Sequence, residues 1–334
     1  MESLSKTNSG MALVVTDSKL LIGVVTDGDV RRGLLNALSL DSSVDQIMTE
    51  VPKVLPVGST HQEALATMKK YSLSQIPLVD SHGRVVDLHL LSDFVKSERY
   101  ENIIFINAGG RGQRLHPLTE NCPKPLLQVG NKPILENIIQ NFINHGFYRF
   151  VVSVNYRANM VMEYFRDGSD WDVDIIYIQE ETPLGTAGSL AELKGKTKLP
   201  IIISNGDLLT NVDYQNLLDY HVKAKTAATM CIKEYDIQVP YGVAHVQSNR
   251  LQKITEKPIH KFFINAGIYV INPEVLEFVD ENKYLDMPDL FDRLLAEKGD
   301  VATFPIYEYW LDIGRFDDFE KAQIEFSQVT RGRV

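Results

Sequence analysis

Residues 103–127 read IIFINAGGRGQRLHPLTENCPKPLL. The run 103–106 is short, continuous and rich in branched apolar residues, the composition of a strand buried on both faces of a parallel sheet. Ala108, Gly109, Gly110, Arg111, Gly112, Gln113 and Arg114 follow at once. Three glycines within four positions let backbone N–H groups approach a ligand without interference from a Cβ. Arg114 and, ten positions on, Lys124 add cationic donors. Strand, glycine turn and flanking cations describe an anion site at the carboxyl edge of a sheet. Two phosphate motifs are absent. The pattern that starts at Gly110 ends on Leu115 where a dinucleotide fingerprint needs glycine, and no G-x-x-x-x-G-K-[ST] occurs. On the glycines alone, a glycine-rich surface turn is an equal alternative.

Composition narrows the field. At 334 residues the chain is long enough for about two domains, each with its own core. A net charge of −10 argues against nucleic acid as a partner. Any phosphate site must then gather its cations locally, as Arg111, Arg114 and Lys124 do. The two cysteines, Cys122 and Cys231, are far apart, which reads as reduced thiols in the cytoplasm. No stretch approaches the roughly 20 apolar residues of a membrane span, and the N-terminus lacks a signal-peptide core.

The longer motif is more specific than its glycines. Gly-Gly-x-Gly-x-Arg-Leu-x-Pro-Leu-Thr from Gly109, followed by Pro123-Lys124-Pro125, resembles the sugar-1-phosphate nucleotidyltransferase (nucleotide-sugar pyrophosphorylase) family. Gln113 departs from the Thr of many members, and Asn107 is an unusual choice before Ala108. The resemblance implies an α/β fold, a Rossmann-like, mainly parallel mixed sheet of GT-A-like type. It implies nucleotide contacts at Ala108, Gly109, Gly110, Gly112 and Gln113, with Arg114 and Lys124 as the catalytic cations.

Further motifs follow in family order. Asp207 ends the run IIISNGD at 201–207, a carboxylate directly after a buried strand. A turn aspartate after Asn-Gly is the plain alternative. The resemblance instead implies a Mg²⁺ ligand, joined by Asp312 of Trp310-Leu311-Asp312-Ile313-Gly314. Two oxygen ligands plus phosphate oxygens and waters suit that ion. EETPLGTAG at 180–188 reads as a loop into a helix N-terminus, either a neutral capping loop or, as the resemblance implies, the nucleobase seat with Gly185 and Glu180. Glu256-Lys257-Pro258 alone reads as a solvated pair. The resemblance places Lys257 on the sugar phosphate and Glu256 on a sugar hydroxyl, with Gly242 and Asn265 in the same sugar-phosphate site. Asn265 and Gly267 inside an apolar strand support a close approach to that backbone.

Residues 1–98 read as a separate unit made of two copies of one pattern. MALVV, TDSK and LLIGVVTDGDVRR span 11–32, and IPLVD, SHGR and VVDLHLLSDFV span 76–95. A short strand at 53–56 and a helix at 60–70 precede the second copy. In that helix Ala64, Leu65 and Met68 share a face, and Ser59 or Thr60 caps it. The unit resembles a tandem CBS (Bateman) module whose first copy begins late. The resemblance implies an adenine nucleotide held by Thr26 and Asp29 and, in the second copy, by Asp93, although Leu90 replaces the second hydroxyl. Packing and dimerisation without a ligand, with Asp29 as a helix N-cap, is the equal alternative.

The second unit, 102–334, alternates strands and helices: helix 133–145, strand 150–154, helix 158–166, strand 173–178, a helix from 186 and strand 199–203. That order predicts a parallel sheet with helices on both faces. Strands then dominate at 227–232, 243–246, 251–255, 264–271 and 301–304, with helices at 273–279, 288–297 and from 316. The expected activity is transfer of a nucleoside monophosphate from an NTP, GTP favoured, to a glucosamine 1-phosphate- or mannose 1-phosphate-like sugar. The CBS pairing resembles guanylyltransferases of amino-sugar and nonulosonate pathways. Uridylyl or thymidylyl transfer, and a non-catalytic nucleotide-binding protein, are the alternatives. Self-association into a homo-oligomer is expected of both families.

Overall fold

A computed structural model describes residues 4, 10–91 and 99–331. Its first unit holds two hairpins. Strands β1 (Met11–Val15) and β2 (Leu21–Thr26) pair antiparallel. Helix α1 (Asp27–Leu35) leaves β2 directly. Strand β3 (Leu55–Pro56), helix α2 (His61–Tyr71), β4 (Gln75–Val79) and β5 (Val85–Leu90) form a three-stranded sheet with its helix. The repeat read in the sequence is thus visible as two like hairpins. Thr60 caps α2 and forms a capping box with Glu63.

The second unit is built on a seven-stranded sheet. Its strands are β6 (Tyr100–Asn107), β7 (Phe147–Val154), β8 (Asp174–Gln179), β9 (Ile201–Asn205), β11 (Ala228–Gln238), β14 (Ile259–Ile271) and β15 (Val301–Ile306). Short β10 (Leu208–Thr210) and β16 (Trp310–Asp312) pair antiparallel beside it, and β12 (Val243–Gln247) with β13 (Arg250–Thr255) forms an outlying hairpin. The order across the sheet is β8-β7-β6-β9-β14-β11-β15. The first four strands run parallel, and β14 lies antiparallel to both of its neighbours.

Helices α3 (Ile134–Asn144), α4 (Ala158–Phe165), α5 (Tyr214–Ala224), α6 (Met287–Ala296) and α7 (Phe316–Arg331) complete it. Alternation along β6 explains why its apolar run is continuous. Ile104 and Ile106 join one core with Leu135, Ile138 and Phe142 of α3. Ile103 and Phe105 join the other with Leu290, Phe291 and Leu294 of α6. A strand covered on both faces accepts a polar side chain only where it is hydrogen-bonded, as buried Asn102 is to the Pro200 carbonyl.

Three expectations need correction. The segment from 186 is not an α-helix but a 3-10 stretch, Gly188–Leu193. Its backbone is drawn away by Leu285, whose carbonyl takes the amides of Ala187 and Gly188. The helix expected at 273–279 is also 3-10, Pro273–Phe278. Helix α5 was not expected; Tyr214, Leu217, Leu218 and His221 form its buried face, and Asp213 caps it by accepting from Asn216 N–H. Residues 92–98, which hold Asp93 and the expected boundary, lie outside the described residues.

The two units meet at α1. Arg31 is 3% exposed and inserts between the rings of Phe304 and Tyr307. It pairs with Asp27 at 2.8 Å and Glu308 at 2.6 Å, and donates to the Pro305 carbonyl. Asp27 also accepts from Tyr307 and Asn216. A buried guanidinium with each carboxylate engaged satisfies what desolvation would otherwise penalise. Among the described residues, no helix is long and apolar enough to cross a membrane.

Candidate active site

Strand order places the site. The chain enters at β6, moves outward to β7 and β8, then returns to the other side of β6 at β9. Loops leaving the carboxyl ends of β6 and β9 therefore diverge and open a crevice. Asn107 ends β6, Asn205 ends β9, and the two are register partners. Behind Asn107 comes the glycine loop; behind Asn205 come Gly206 and Asp207. The Gly206 amide donates to the Asn107 carbonyl at 2.8 Å. A Cβ on Gly206 would meet that oxygen at 2.6 Å, so only glycine lets the two turns touch.

The glycine loop is held open by its own geometry. Gly112 has φ +62, and a Cβ there would strike Thr119 at 2.8 Å. The Thr119 hydroxyl donates to the Gly112 carbonyl at 2.9 Å, which closes the loop on itself. From outside, Tyr156 and Arg157 donate to the carbonyls of Thr119 and Glu120. Gly110, Gln113 and Arg114 are left exposed, while Ala108 is 5% exposed beneath them.

Across the crevice the carboxylates gather. The Asp207 carbonyl takes the Ile313 amide, and β10 pairs with β16 so that Leu208 faces Asp312. Lys124 is buried and its Nζ lies 2.5 Å from Asp207 Oδ2. Asp207 Oδ1 is buried, with no hydrogen-bond partner among the described residues. Burial, then the charge of Asp207, push the Asp312 carboxyl up to about 6 against the pull of Lys124 and Arg114. An orphaned buried carboxylate oxygen beside a second, destabilised carboxylate fits a hard divalent cation. Among the described residues, no three His, Cys, Asp or Glu side chains form a full metal cage. That leaves positions for phosphate oxygens and waters, as Mg²⁺ prefers.

Beside the carboxylates is a cavity of about 340 Å³. Asp312, Asn265, Asn205, Thr186, Asp286 and Trp310 are among its lining. Asn265 is placed by a bulge in β14. Its Oδ1 accepts from Gly267 N–H at 2.9 Å, and Gly267 has φ +71 where the pairing with β11 slips between Met230 and Ile232. The Asn-Gly pair inside an apolar strand is thus the device that turns Asn265 into the cavity.

Other expected site residues have different placements. Glu180 is 7% exposed and accepts from Ser153 at 2.5 Å, Ser189 at 2.9 Å and the Leu184 amide at 3.1 Å. It braces the loop that carries Gly185. Gly185 has φ +76, and its carbonyl accepts a long 3.5 Å bond from Asn107 Nδ2. Gly242, Glu256 and Lys257 sit about the β12–β13 hairpin, outside the cavity lining. Lys257 is exposed with φ +43. In the first unit, Thr26 is the N-cap of α1 and Asp29 its third helical residue, joined in a capping box. Asp29 also pairs with Arg32. The expectation of Asp29 as the N-cap is corrected: Thr26 holds that position, and Asp29 reaches back from the third helical residue to the Thr26 amide.

Thr186, Asp286 and Pro288 were not singled out by the sequence. Leu285-Asp286-Met287-Pro288 reads as an ordinary helix start, and nothing local marks it as a wall of the site.

The chain is similar to known proteins in sequence and in fold. A family model described as "Nucleotidyl transferase" matches residues 103–328. A model described as "CBS domain" matches residues 44–88. The mannose-1-phosphate guanyltransferase of Yarrowia lipolytica is 32% identical over 222 residues, 64% of this chain and 61% of that protein. The chain therefore spans about three-fifths of the length of the curated relatives it matches. HddC from Yersinia pseudotuberculosis is 25% identical with a TM-score of 0.54, covering 67% of this chain and 99% of that one. A putative glucose-1-phosphate thymidylyltransferase from Bacillus anthracis shares the fold at 21% identity, with a TM-score of 0.55 over 66% of this chain and 94% of that one.

Proposed function

The chain belongs to the nucleotidyl transferase family, and from that premise we propose that it transfers a nucleoside monophosphate from an NTP to a sugar 1-phosphate. GTP is the favoured donor and a mannose 1-phosphate- or glucosamine 1-phosphate-like sugar the acceptor. The guanyltransferase relatives support the base and the hexose. The observation that carries the reading is the meeting of Asp207 and Asp312 with the glycine loop at the β6–β9 crevice.

A phosphate oxygen of the sugar attacks the α-phosphorus in line, the bond to the β-phosphate oxygen breaks, and pyrophosphate leaves. That oxygen is already anionic near neutral pH, so the site needs no general base. It needs positioning and charge neutralisation. Exposed backbone of Gly109 and Gly110 is where the triphosphate would lie, with Arg114 beside it. Lys124 holds Asp207 in place. Asp207 and Asp312 would bind Mg²⁺, which when bound neutralises phosphate charge and orients the reacting oxygens. Glu256 and Lys257 are assigned to the sugar phosphate on their motif alone.

The first unit is proposed to be a tandem CBS module, of which 44–88 matches the family model. Free Cys122 and Cys231 support a cytoplasmic site of action. The test is pyrophosphate release, with Mg²⁺, from four NTPs against a panel of sugar 1-phosphates. Release with GTP and one hexose 1-phosphate supports the reading, and no release with any pair defeats it.

A further inference from the structure

Asp286 stands at the N-cap of α6, yet its side chain does not cap that helix. An aspartate at this position ordinarily accepts from the first-turn amides. Here Oδ1 accepts from Thr186 N–H at 3.0 Å and from the Thr186 hydroxyl at 3.1 Å, and Oδ2 accepts from the Tyr284 hydroxyl at 2.7 Å. The first amide of the helix, Met287 N–H, is taken instead by Thr186 Oγ1 at 2.7 Å. Two side chains have exchanged duties across 100 residues of sequence, and both line the cavity.

The backbone repeats the connection. Leu285 N–H donates to the Leu184 carbonyl at 3.0 Å, and the Leu285 carbonyl accepts from Ala187 and Gly188 at 2.9 and 3.2 Å. A Cβ on Gly185 would lie 2.5 Å from the Leu285 carbonyl, and one on Gly188 would lie 2.4 Å from the Lys283 carbonyl. The glycines of the Pro-Leu-Gly-Thr-Ala-Gly loop are therefore required by this wall as much as by any ligand. Asp286 is the carboxylate that bridges the two segments. Burial acts to raise its carboxyl, but the bonds from Tyr284 and Thr186 outweigh it and hold the group below its ordinary range.

We propose that Asp286 is a positioning residue: through Thr186 it fixes the loop that seats the nucleotide against the wall of the cavity lined by Asn265, the residue through which that cavity is assigned to the sugar phosphate. One side chain then sets the spacing between the two substrates. The roles of the loop and the cavity rest on the proposed nucleotidyl transfer; the mechanical link between Asp286 and Thr186 does not.

The test uses the full chain and the variants Asp286→Ala, Asp286→Asn, Thr186→Ala and the double alanine. Two readouts are taken: amide hydrogen exchange over 184–188, and separate KM values for MgGTP and mannose 1-phosphate from pyrophosphate release. Asp286→Ala is expected to speed exchange at 184–188 by roughly tenfold or more, the loss of a bond to a charged acceptor. It should raise the KM for MgGTP by a similar factor, although Asp286 lies on the sugar side. Asp286→Asn keeps an oxygen for Thr186 and should recover most of both effects. The double variant should be little worse than either single one. Unchanged exchange at 184–188 in Asp286→Ala overturns the proposal, as does a rise confined to the mannose 1-phosphate KM, which would make Asp286 a direct sugar ligand. If the wild-type chain releases no pyrophosphate from any NTP and sugar 1-phosphate, the functional reading fails, and the exchange result alone decides the link.

Discussion

Lys124 Nζ lies 2.5 Å from Asp207 Oδ2, so the cation expected on the phosphates is paired with the carboxylate expected on the metal. The pair is partly buried, and the other oxygen of Asp207 has no partner among the described residues. Lys124 therefore answers half of the charge that a divalent cation would answer in full. Arg111 and Arg114, both exposed on the loop, are placed to meet a triphosphate bound there first.

Asp207→Asn should leave the melting temperature within a few degrees of wild type. It replaces one anionic oxygen by an amide and keeps the shape. Turnover should fall by about a hundredfold or more, as when one preorganised electrostatic group is lost. Arg114→Ala should do the same without touching the Lys124–Asp207 pair. The check is pyrophosphate release at saturating substrate beside a thermal melt. Near-full turnover in either variant would remove that residue from the machinery.

Gly206→Ala tests the contact between the two turns. The new Cβ would sit 2.6 Å from the Asn107 carbonyl, a backbone atom that cannot swing aside. Overpacking of this kind costs about 1–3 kcal/mol. Asp207 is the next residue, so it should move as well, and a misplacement of about 1 Å can cost a hundredfold in rate. Stability and turnover should fall together. Loss of neither would mean that the β6–β9 crevice is looser than drawn.

How legible this was depends on where each feature is encoded. The β6 run and its glycines were readable because one short segment carries both the strand pattern and the turn chemistry. Asp207 and Asp312 were readable as motif residues, but their meeting depends on the β10–β16 pairing, which no local pattern announces. The helix expected from 186 failed because Gly185 and Gly188 look like cap residues, whereas they admit the backbone of Lys283 and Leu285. Asp286 was invisible for the converse reason: a helix-start aspartate is the commonest reading of such a residue, and its diversion to Thr186 is a tertiary event. Asp29 reads as an N-cap in the sequence, but Thr26 takes that place and Asp29 closes the capping box from the third helical position.

The junction of the two units gives another expectation. Arg31→Met keeps an apolar stem over Phe304 but leaves Asp27 and Glu308 buried without their cation. Breaking a buried pair by removing one partner costs about 3–5 kcal/mol. Replacing Asp27, Arg31 and Glu308 together by apolar residues of similar size should cost far less, because no uncompensated charge remains. Denaturant unfolding of the single and triple variants measures the difference. Equal losses would show that packing, and not charge, holds α1 against β15.

His221 supplies a pH dependence. It is 1% exposed, and its Nδ1 and Nε2 lie 2.8 Å from Thr229 Oγ1 and 3.1 Å from Asn272 Oδ1. Asn272 spends its amide on the Thr226 carbonyl, so its oxygen is the end that accepts from Nε2–H, which leaves Nδ1 to accept from Thr229. Both ring nitrogens are thus satisfied in the neutral form. Burial holds the group below its usual 6.5, only partly offset by Asn272. A depressed folded pKa means that the unfolded chain binds protons first, so acid favours unfolding. The stabilisation is complete above about 6.5 and is lost as pH falls from there through the folded value. His221→Asn removes the titration and should flatten this part of the profile. The measurement is the melting temperature of both proteins between pH 5 and 8, with the difference isolating one side chain from every other titrating group. Parallel profiles would show that the imidazole is not desolvated in the folded chain.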